Sequence, residues 1–110
     1  MQPVIIEVAL NGPRSSTPEA LAADALECLA EGAAIVHQHD RASDPDTMAA
    51  DGIAMYQAVL AERPDAICYP TSGHGGPVEY RWRHHEALHS AGVLRMALAD
   101  PGAVNLYRAV

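Results

Sequence analysis

Apolar and polar positions follow one another along the chain in a pattern that predicts four short strands separated by three helices. The strands are predicted at residues 3–10, 33–39, 65–70 and 94–98, and the helices at residues 18–31, 48–62 and 78–90. Each strand is a nearly unbroken apolar run, often β-branched, whereas each helix repeats apolar residues three and four positions apart. The chain therefore alternates strand and helix from its first element to its last.

Turn and capping signals bound these elements. Residues 17–19 (Thr-Pro-Glu) open the first helix, because threonine caps an N-terminus, proline suits the first helical position and glutamate suits the positive end of the dipole. Gly32 is a typical C-terminal stop. Residues 40–47, rich in Asp, Ser and Pro, and the glycine-rich residues 71–77 are predicted to be loops.

Strands that are apolar along their length and alternate with helices predict an α/β fold whose parallel sheet is covered on both faces. Two architectures fit this order: a doubly wound open sheet, or a (β/α)8 TIM barrel of which the chain covers the first half. In both architectures ligands bind at the carboxyl ends of the strands. Candidate functional residues are therefore expected where strands end.

Composition narrows the class of protein. The chain has 110 residues and a net charge of -7, enough for one domain but too acidic to favour nucleic-acid binding, which requires a basic surface. No apolar run approaches the ~20 residues of a membrane span, and the N-terminal residues predict a strand and not a signal peptide. Cys28 and Cys68 lie singly in apolar segments, which is typical of buried free thiols and indicates a cytoplasmic protein.

The end of the second strand carries the most informative residues, His37 and His39. Because side chains alternate faces along a strand, the two imidazoles are expected on one face, where they could bind one divalent metal. Zinc is the first choice, since it accepts nitrogen ligands and a carboxylate and leaves a position open; iron, manganese and nickel are alternatives. The other interpretation is a histidine pair that only forms hydrogen bonds at the edge of the sheet.

Two further segments carry candidate chemistry. The glycines of residues 71–76 would let backbone amides approach an anion beside the next helix, although a plain connection is the alternative. Asn11 would supply a polar group or only a turn at the end of the first strand. Trp82 is expected to be a packing residue. The basic residues of the third helix are expected to form a solvated face: Arg81, Arg83, His84, His85 and His89.

Four segments together resemble the β-keto acid cleavage enzymes, whose type member is the 3-keto-5-aminohexanoate cleavage enzyme. They are residues 4–12 (VIIEVALNG), 17–19 (TPE), 32–41 (GAAIVHQHDR) and 70–73 (PTSG), which occur in order over nearly the whole chain. The pattern Gly-Ala-x-x-x-His-x-His-x-Arg is the most specific part of the resemblance.

The resemblance implies a TIM barrel, a zinc ion or another divalent metal, and a homo-oligomer. It implies a reaction in which a β-keto acid and acetyl-CoA give acetoacetate and a new CoA thioester. By position, His37 and His39 match the zinc-binding histidines, and Thr71 and Arg41 are expected to act in catalysis. The residues expected to contact the substrate are Asn11, Arg14, Ser72 and Gly73.

The chain also departs from the family. Family members are more than twice as long, and their third zinc ligand, a glutamate on a late strand, has no counterpart here, nor do their catalytic arginine and aspartate. We therefore expect residues 1–110 to be an incomplete fragment, the N-terminal half of a barrel. A non-catalytic metal- or anion-binding α/β module and an inactive truncated remnant are the alternatives. Pro13 and Arg14 replace the acidic residue of the amine-specific type member, so a keto acid with an anionic or neutral side chain is expected.

Overall fold

A computed structural model describes residues 2–10, 17–40, 42, 44–73 and 76–98. The elements in chain order are β1 (Glu7–Leu10), α1 (Pro18–Ala30), β2 (Ile35–Gln38), α2 (Pro45–Glu62), β3 (Ile67–Pro70), a 3-10 helix (Val78–Arg81) and α3 (Arg83–Ser90). The three strands form one parallel sheet in the order β1-β2-β3, which confirms the α/β class. No helix within the described ranges is long and apolar enough to cross a membrane.

Helix α1 begins and ends at the predicted signals. The Thr17 hydroxyl accepts a hydrogen bond from the Ala20 N–H at 3.1 Å, which satisfies one of the donors left free in the first turn. Gly32 adopts a φ of +113°, a conformation that glycine reaches at little cost, and the chain turns there toward β2. The local sequence therefore fixes where α1 begins and where the chain turns from α1 toward β2.

Helix α2 begins three residues earlier than predicted, at Pro45 and not at Met48. The last three residues of the predicted loop at residues 40–47 therefore belong to the helix. Asp44 accepts a hydrogen bond from the Thr47 N–H at 2.8 Å, and proline and an acidic residue follow it, as they follow Thr17 at the start of α1. The same capping signal thus opens both long helices.

The predicted third helix is interrupted at Trp82, which separates the 3-10 helix from α3. The Arg81 carbonyl, which a continuous α-helix would use for its own ladder, accepts a hydrogen bond from the Gly73 N–H at 3.1 Å. Trp82 itself is 46% exposed, so its predicted packing role is wrong. A backbone hydrogen bond therefore connects the loop after β3 to the point where the predicted helix is interrupted.

The helices cover only one face of the sheet. Leu10, Val36 and Cys68 point from the three strands into a shared core. The helices contribute Ala22, Ala25, Leu29, Met55, Tyr56, Val59 and Leu88 to it. The predicted covering of both faces is wrong for the described residues, because α1, α2 and α3 all pack on this side. One layer of helices outside a parallel sheet is consistent with a partial TIM-barrel-like domain.

We call the other side of the sheet the open face. Its residues alternate with the core residues along the strands and are Glu7 and Ala9 on β1, Ile35 and His37 on β2, and Ile67 and Tyr69 on β3. Glu7 and Ala9 are exposed, and Ile35, His37 and Ile67 are partly buried. The side chains that interrupt the apolar pattern therefore lie together on one surface.

The predicted strands at residues 33–39 and 65–70 are observed in shortened form, as Ile35–Gln38 and Ile67–Pro70, and the first and fourth predicted strands differ more. The first is shorter, because its ladder with β2 begins at the Ile6 carbonyl, which accepts from the Ala34 N–H at 2.9 Å. Val4 and Ile5, before that point, are 84% and 72% exposed. Residues 94–98, predicted as the fourth strand, have no regular structure, and Arg95 donates to the carbonyl of Pro64. An apolar pattern alone does not make a strand where no neighbouring backbone completes the ladder.

Candidate functional site

His37 and His39 lie side by side at the carboxyl end of β2. Their ring centroids are 4.7 Å apart and the rings meet edge to face, as expected when residues two apart share a side of a strand. His37 pairs in register with Ala9 of β1 and Tyr69 of β3, so it belongs to the open face. His39 follows the last residue of the strand and is exposed.

The surroundings of His37 suit a neutral imidazole. Burial, and secondarily the neighbouring His39, lower its pKa from the ordinary value of a histidine. Its Nδ1 atom is buried and has no hydrogen-bond partner in the described part of the chain. A neutral imidazole with a lone pair free of other partners is the form in which histidine binds a metal ion, so the residues present fit two nitrogen ligands of such a site.

Tyr69 and Glu7 adjoin the histidines on the open face. The Tyr69 ring lies 4.4 Å from the His37 ring, and its hydroxyl donates a hydrogen bond to the Glu7 carboxylate. This hydrogen bond is the main reason why the pKa of Tyr69 rises to about 12. Neither residue was among the predicted site residues. The available signal was Glu7, the only charge within the first apolar run.

The described residues supply two candidate ligands and no more. No group of three His, Cys, Asp or Glu side chains in those ranges is arranged to hold a metal ion. Glu7 lies on the same face, but its carboxylate accepts the hydrogen bond from Tyr69. A zinc centre needs at least a third protein ligand, so His37 and His39 constitute part of a site.

The loop after β3 brings Thr71, Ser72 and Gly73 to the same end of the sheet. The Thr71 N–H donates to the Gln38 carbonyl at 2.9 Å, which continues the ladder between β3 and β2 beyond the last paired residues. A Cβ atom on Gly73 would overlap the carbonyl oxygen of Tyr80, so only glycine fits this approach. Thr71 and Ser72 remain partly exposed.

Three predicted site residues, Asn11, Arg14 and Arg41, lie outside the described residues. Their roles in substrate binding and catalysis therefore stay predictions. The structure places the other predicted site residues, the two histidines and residues 71–73, at the ends of the neighbouring strands β2 and β3.

A second polar cluster lies on the helix-covered side of the sheet. Gln38 donates from Nε2 to the Asp40 carboxylate at 3.0 Å, and burial raises the pKa of Asp40 to about 6. His84 and His85 are buried with ring centroids 4.2 Å apart. The predicted solvated face of the third helix is therefore wrong for these two residues, although His89 is exposed as expected. Burial lowers the pKa of His85 to about 4.

Comparison with known proteins decides the family. A family model described as beta-keto acid cleavage enzyme matches residues 3–109. The chain belongs to this family. The membership confirms the resemblance found in the sequence and assigns the chain to enzymes of the beta-keto acid cleavage type, which act on small molecules and are generally metal-dependent. Searches among curated proteins and solved structures gave no significant match.

Proposed function

We propose that the protein is a zinc-dependent β-keto acid cleavage enzyme with acetyl-CoA as its co-substrate, built on a (β/α)8 barrel. The observation that carries the proposal is the His37–His39 pair, which lies at the carboxyl end of a parallel strand with ring centroids 4.7 Å apart. Family membership over residues 3–109 supports the reaction type. The carboxyl end of the strands is where barrel enzymes of every chemistry keep their active sites.

In the proposed reaction, a carboxymethyl unit passes from one acyl group to another. The bond between the keto carbon and the CH2 group of the β-keto acid breaks, and a bond between that CH2 carbon and the acetyl carbonyl carbon forms. The products are acetoacetate and a thioester that joins the remaining acyl group to CoA. Atoms and electrons balance without an oxidant or reductant.

His37 and His39 would hold the metal through ring nitrogens, together with a ligand from elsewhere in the protein. A bound divalent ion would polarise the oxygens of the keto acid and stabilise negative charge that develops on them. The Tyr69 ring, packed on His37 and held by Glu7, would keep the His37 ring in one orientation.

The loop after β3 would face the substrate. Thr71 is assigned a catalytic contact, and Ser72 and Gly73 would bind the substrate with side-chain and backbone donors at the end of β3. Arg41 would supply a positive charge for the reaction.

Substrate choice would depend on the two residues assigned to the loop after β1. Asn11 would contact the substrate, and the charge of Arg14 would favour a keto acid whose side chain is anionic or neutral, because a cationic side chain would be repelled. Turnover of a matched series of anionic, neutral and amino-substituted β-keto acids tests this preference. A clear preference for the amino-substituted acid would contradict it.

The decisive experiment measures bound metal and acetoacetate formation in the same preparations. The complete enzyme should contain zinc and convert a β-keto acid and acetyl-CoA into acetoacetate, whereas the same enzyme with His37→Ala or His39→Ala should lose both. Residues 1–110 alone, with two candidate ligands, should be inactive. His89→Ala is the matched control, because His89 is an exposed histidine on α3. Zinc binding without turnover in the wild type would favour a non-catalytic metal-binding module, and undiminished zinc in either variant would refute the proposal. Sedimentation of the same samples tests the expected homo-oligomer.

A further inference from the structure

One buried side chain on the helix-covered side of the sheet reaches the loop of the proposed site. His84, in the first turn of α3, is fully buried, and its Nε2 atom lies 2.7 Å from the carbonyl oxygen of Thr71. A carbonyl oxygen only accepts hydrogen bonds, so Nε2 must carry the hydrogen. His84 Nδ1 is then the unprotonated nitrogen, and it is buried without a partner among the described residues.

We propose that His84 is a positioning residue, which fixes the peptide between Thr71 and Ser72 through this hydrogen bond. The inference rests on the proposed function, because that function places Thr71 and Ser72 beside the substrate. It adds a residue from the opposite side of the sheet, which does not itself reach the substrate. Two structural features are required for this role. His84 must carry its hydrogen on Nε2, and the Thr71 carbonyl must point toward that atom.

The planar peptide bond links the hydrogen bond of His84 to the direction of the Ser72 N–H. The peptide is planar and trans, so the Thr71 carbonyl and the Ser72 N–H point in opposite directions. A carbonyl held toward His84 therefore turns the Ser72 N–H away from the helix layer. Within the described part of the chain this N–H donates to no backbone or side-chain acceptor. Since no described residue occupies it, the proposal assigns this N–H to an anion at the end of β3.

The neighbouring hydrogen bonds explain why His84 is needed. The Thr71 N–H is held by the Gln38 carbonyl and the Gly73 N–H by the Arg81 carbonyl, at 2.9 and 3.1 Å. Both ends of the segment are thereby tied, but the peptide plane between them is not fixed by either bond. His84 supplies the missing contact, and its own ring is packed against His85 with centroids 4.2 Å apart.

The first test is spectroscopic and needs no turnover. Imidazole ¹⁵N shifts of the full chain should show His84 as a neutral ring protonated on Nε2 near pH 7. A neutral ring at this pH agrees with the burial of His84, which lowers its pKa. A ring protonated on Nδ1 alone would overturn the proposal, because that tautomer has no hydrogen to donate to Thr71.

The second test compares variants with acetoacetate as the probe ligand. His84→Leu removes the donor, whereas His84→Gln keeps an N–H at a similar reach; His89→Leu is the control on an exposed position of the same helix. We expect His84→Leu to raise the Kd for acetoacetate by about two- to tenfold, the range of one net hydrogen bond. The amide exchange rate of Gly73, whose N–H is hydrogen-bonded beside this peptide, should rise by a similar factor. His84→Gln should restore values near those of the wild type.

Equal weakening by His84→Leu and His84→Gln would overturn the inference, since it would show that the ring only fills space. If His84→Leu does not fold, the tautomer of the wild type and the behaviour of His84→Gln still decide. Failure of the wild type to bind acetoacetate would refute the proposed function instead. In that case the tautomer of His84 and the amide exchange of Gly73 would continue to test whether His84 orients this peptide.

Discussion

The part of the chain that the structure describes includes two pairs of histidines whose rings lie almost equally close but in opposite surroundings. His37 and His39, the strand pair, lie on the open face with centroids 4.7 Å apart. His84 and His85, the buried pair, lie under the helices with centroids 4.2 Å apart. His39 is exposed, whereas His84 has no exposed surface. Access to the solvent, and not the spacing of the rings, separates a pair that could accept a ligand from one enclosed by the fold.

The comparison also concerns charge. In the buried pair, a protonated ring would lose hydration and has no carboxylate partner among the described residues, so burial lowers the pKa of both rings, that of His85 to about 4. In the strand pair, burial lowers the pKa of His37. The same residue type thus acts as a neutral internal donor on one side of the sheet and as a candidate ligand on the other.

The largest expected effect separates the two pairs by metal affinity. His37→Ala and His39→Ala should each weaken zinc binding by more than about 100-fold. Loss of a residue that only hydrogen-bonds to a metal ligand already weakens metal binding by about 10–100-fold, and loss of the ligand itself should cost more. His85→Gln should leave the affinity within about threefold, since it touches no candidate ligand. Competition with a chromophoric chelator measures all three. A weakening in His85→Gln as large as in the strand-pair variants would remove the distinction.

The second largest expected effect is a difference between the two histidine pairs in their contribution to the free energy of unfolding. His84→Ala should lower the free energy of unfolding by about 2–3 kcal/mol, because it leaves a cavity at a fully buried position and removes the hydrogen bond to the Thr71 carbonyl. His39→Ala, at an exposed position, should change it by no more than about 0.5 kcal/mol. Urea unfolding of the metal-free proteins provides the comparison. Similar losses in the two variants would show that the strand pair also stabilises the fold.

A third effect appears on acidification. A histidine with a lowered pKa contributes stability that is complete above its unfolded value of about 6.5 and is lost as the pH falls toward the folded value. For His85, with a folded pKa of about 4, this should cost about 1–2 kcal/mol between pH 7 and 5. Asp40, whose pKa is raised to about 6, acts in the opposite direction, because it takes up a proton more readily when folded.

Variants separate these opposing contributions. Asp40→Asn should make unfolding more sensitive to acid than in the wild type, since the compensation disappears. His85→Gln should make it less sensitive. Denaturation curves at pH 7 and pH 5 give both comparisons, and an unchanged pH dependence in His85→Gln would show that the buried pair does not titrate as its burial implies.

The smallest expected effect sharpens the description of the open face. Glu7→Gln should lower the pKa of Tyr69 from about 12 toward the ordinary tyrosine value, because the carboxylate that holds the hydroxyl proton is replaced by a neutral amide. Ultraviolet titration of tyrosinate absorbance, with Tyr69→Phe to identify the signal, measures the shift. The cost in stability should stay at about 1 kcal/mol. An unshifted titration would mean that Glu7 does not accept this hydrogen bond.

The sequence predicted those features that depend on neighbouring residues. The Thr17 cap and the common face of His37 and His39 follow from the geometry of one helix start and one strand. The start of α2 was equally local, and the Asp44 signal was missed although it repeats that of Thr17. The alternation of elements predicted a parallel sheet but left its strand order open between two architectures, and the structure gives the order β1-β2-β3.

The features that could not be predicted depend on distant contacts. The arginines and histidines of residues 81–89 form a polar stretch, yet His84 and His85 are buried because the end of β3 lies over them. The contact between Glu7 and Tyr69 joins residues 62 positions apart. The fourth strand failed for the same reason, since residues 94–98 have the right pattern but no ladder partner in the described chain.

The close approach at Gly73 has a consequence for engineering the substrate range. Any side chain there would collide with the Tyr80 carbonyl and displace the 3-10 helix. A saturation library at position 73 should therefore return glycine alone among folded clones. Position 72, whose side chain is partly exposed and is assigned to substrate binding, is the place in this loop where a new specificity is best sought, whereas Thr71 is assigned a catalytic contact.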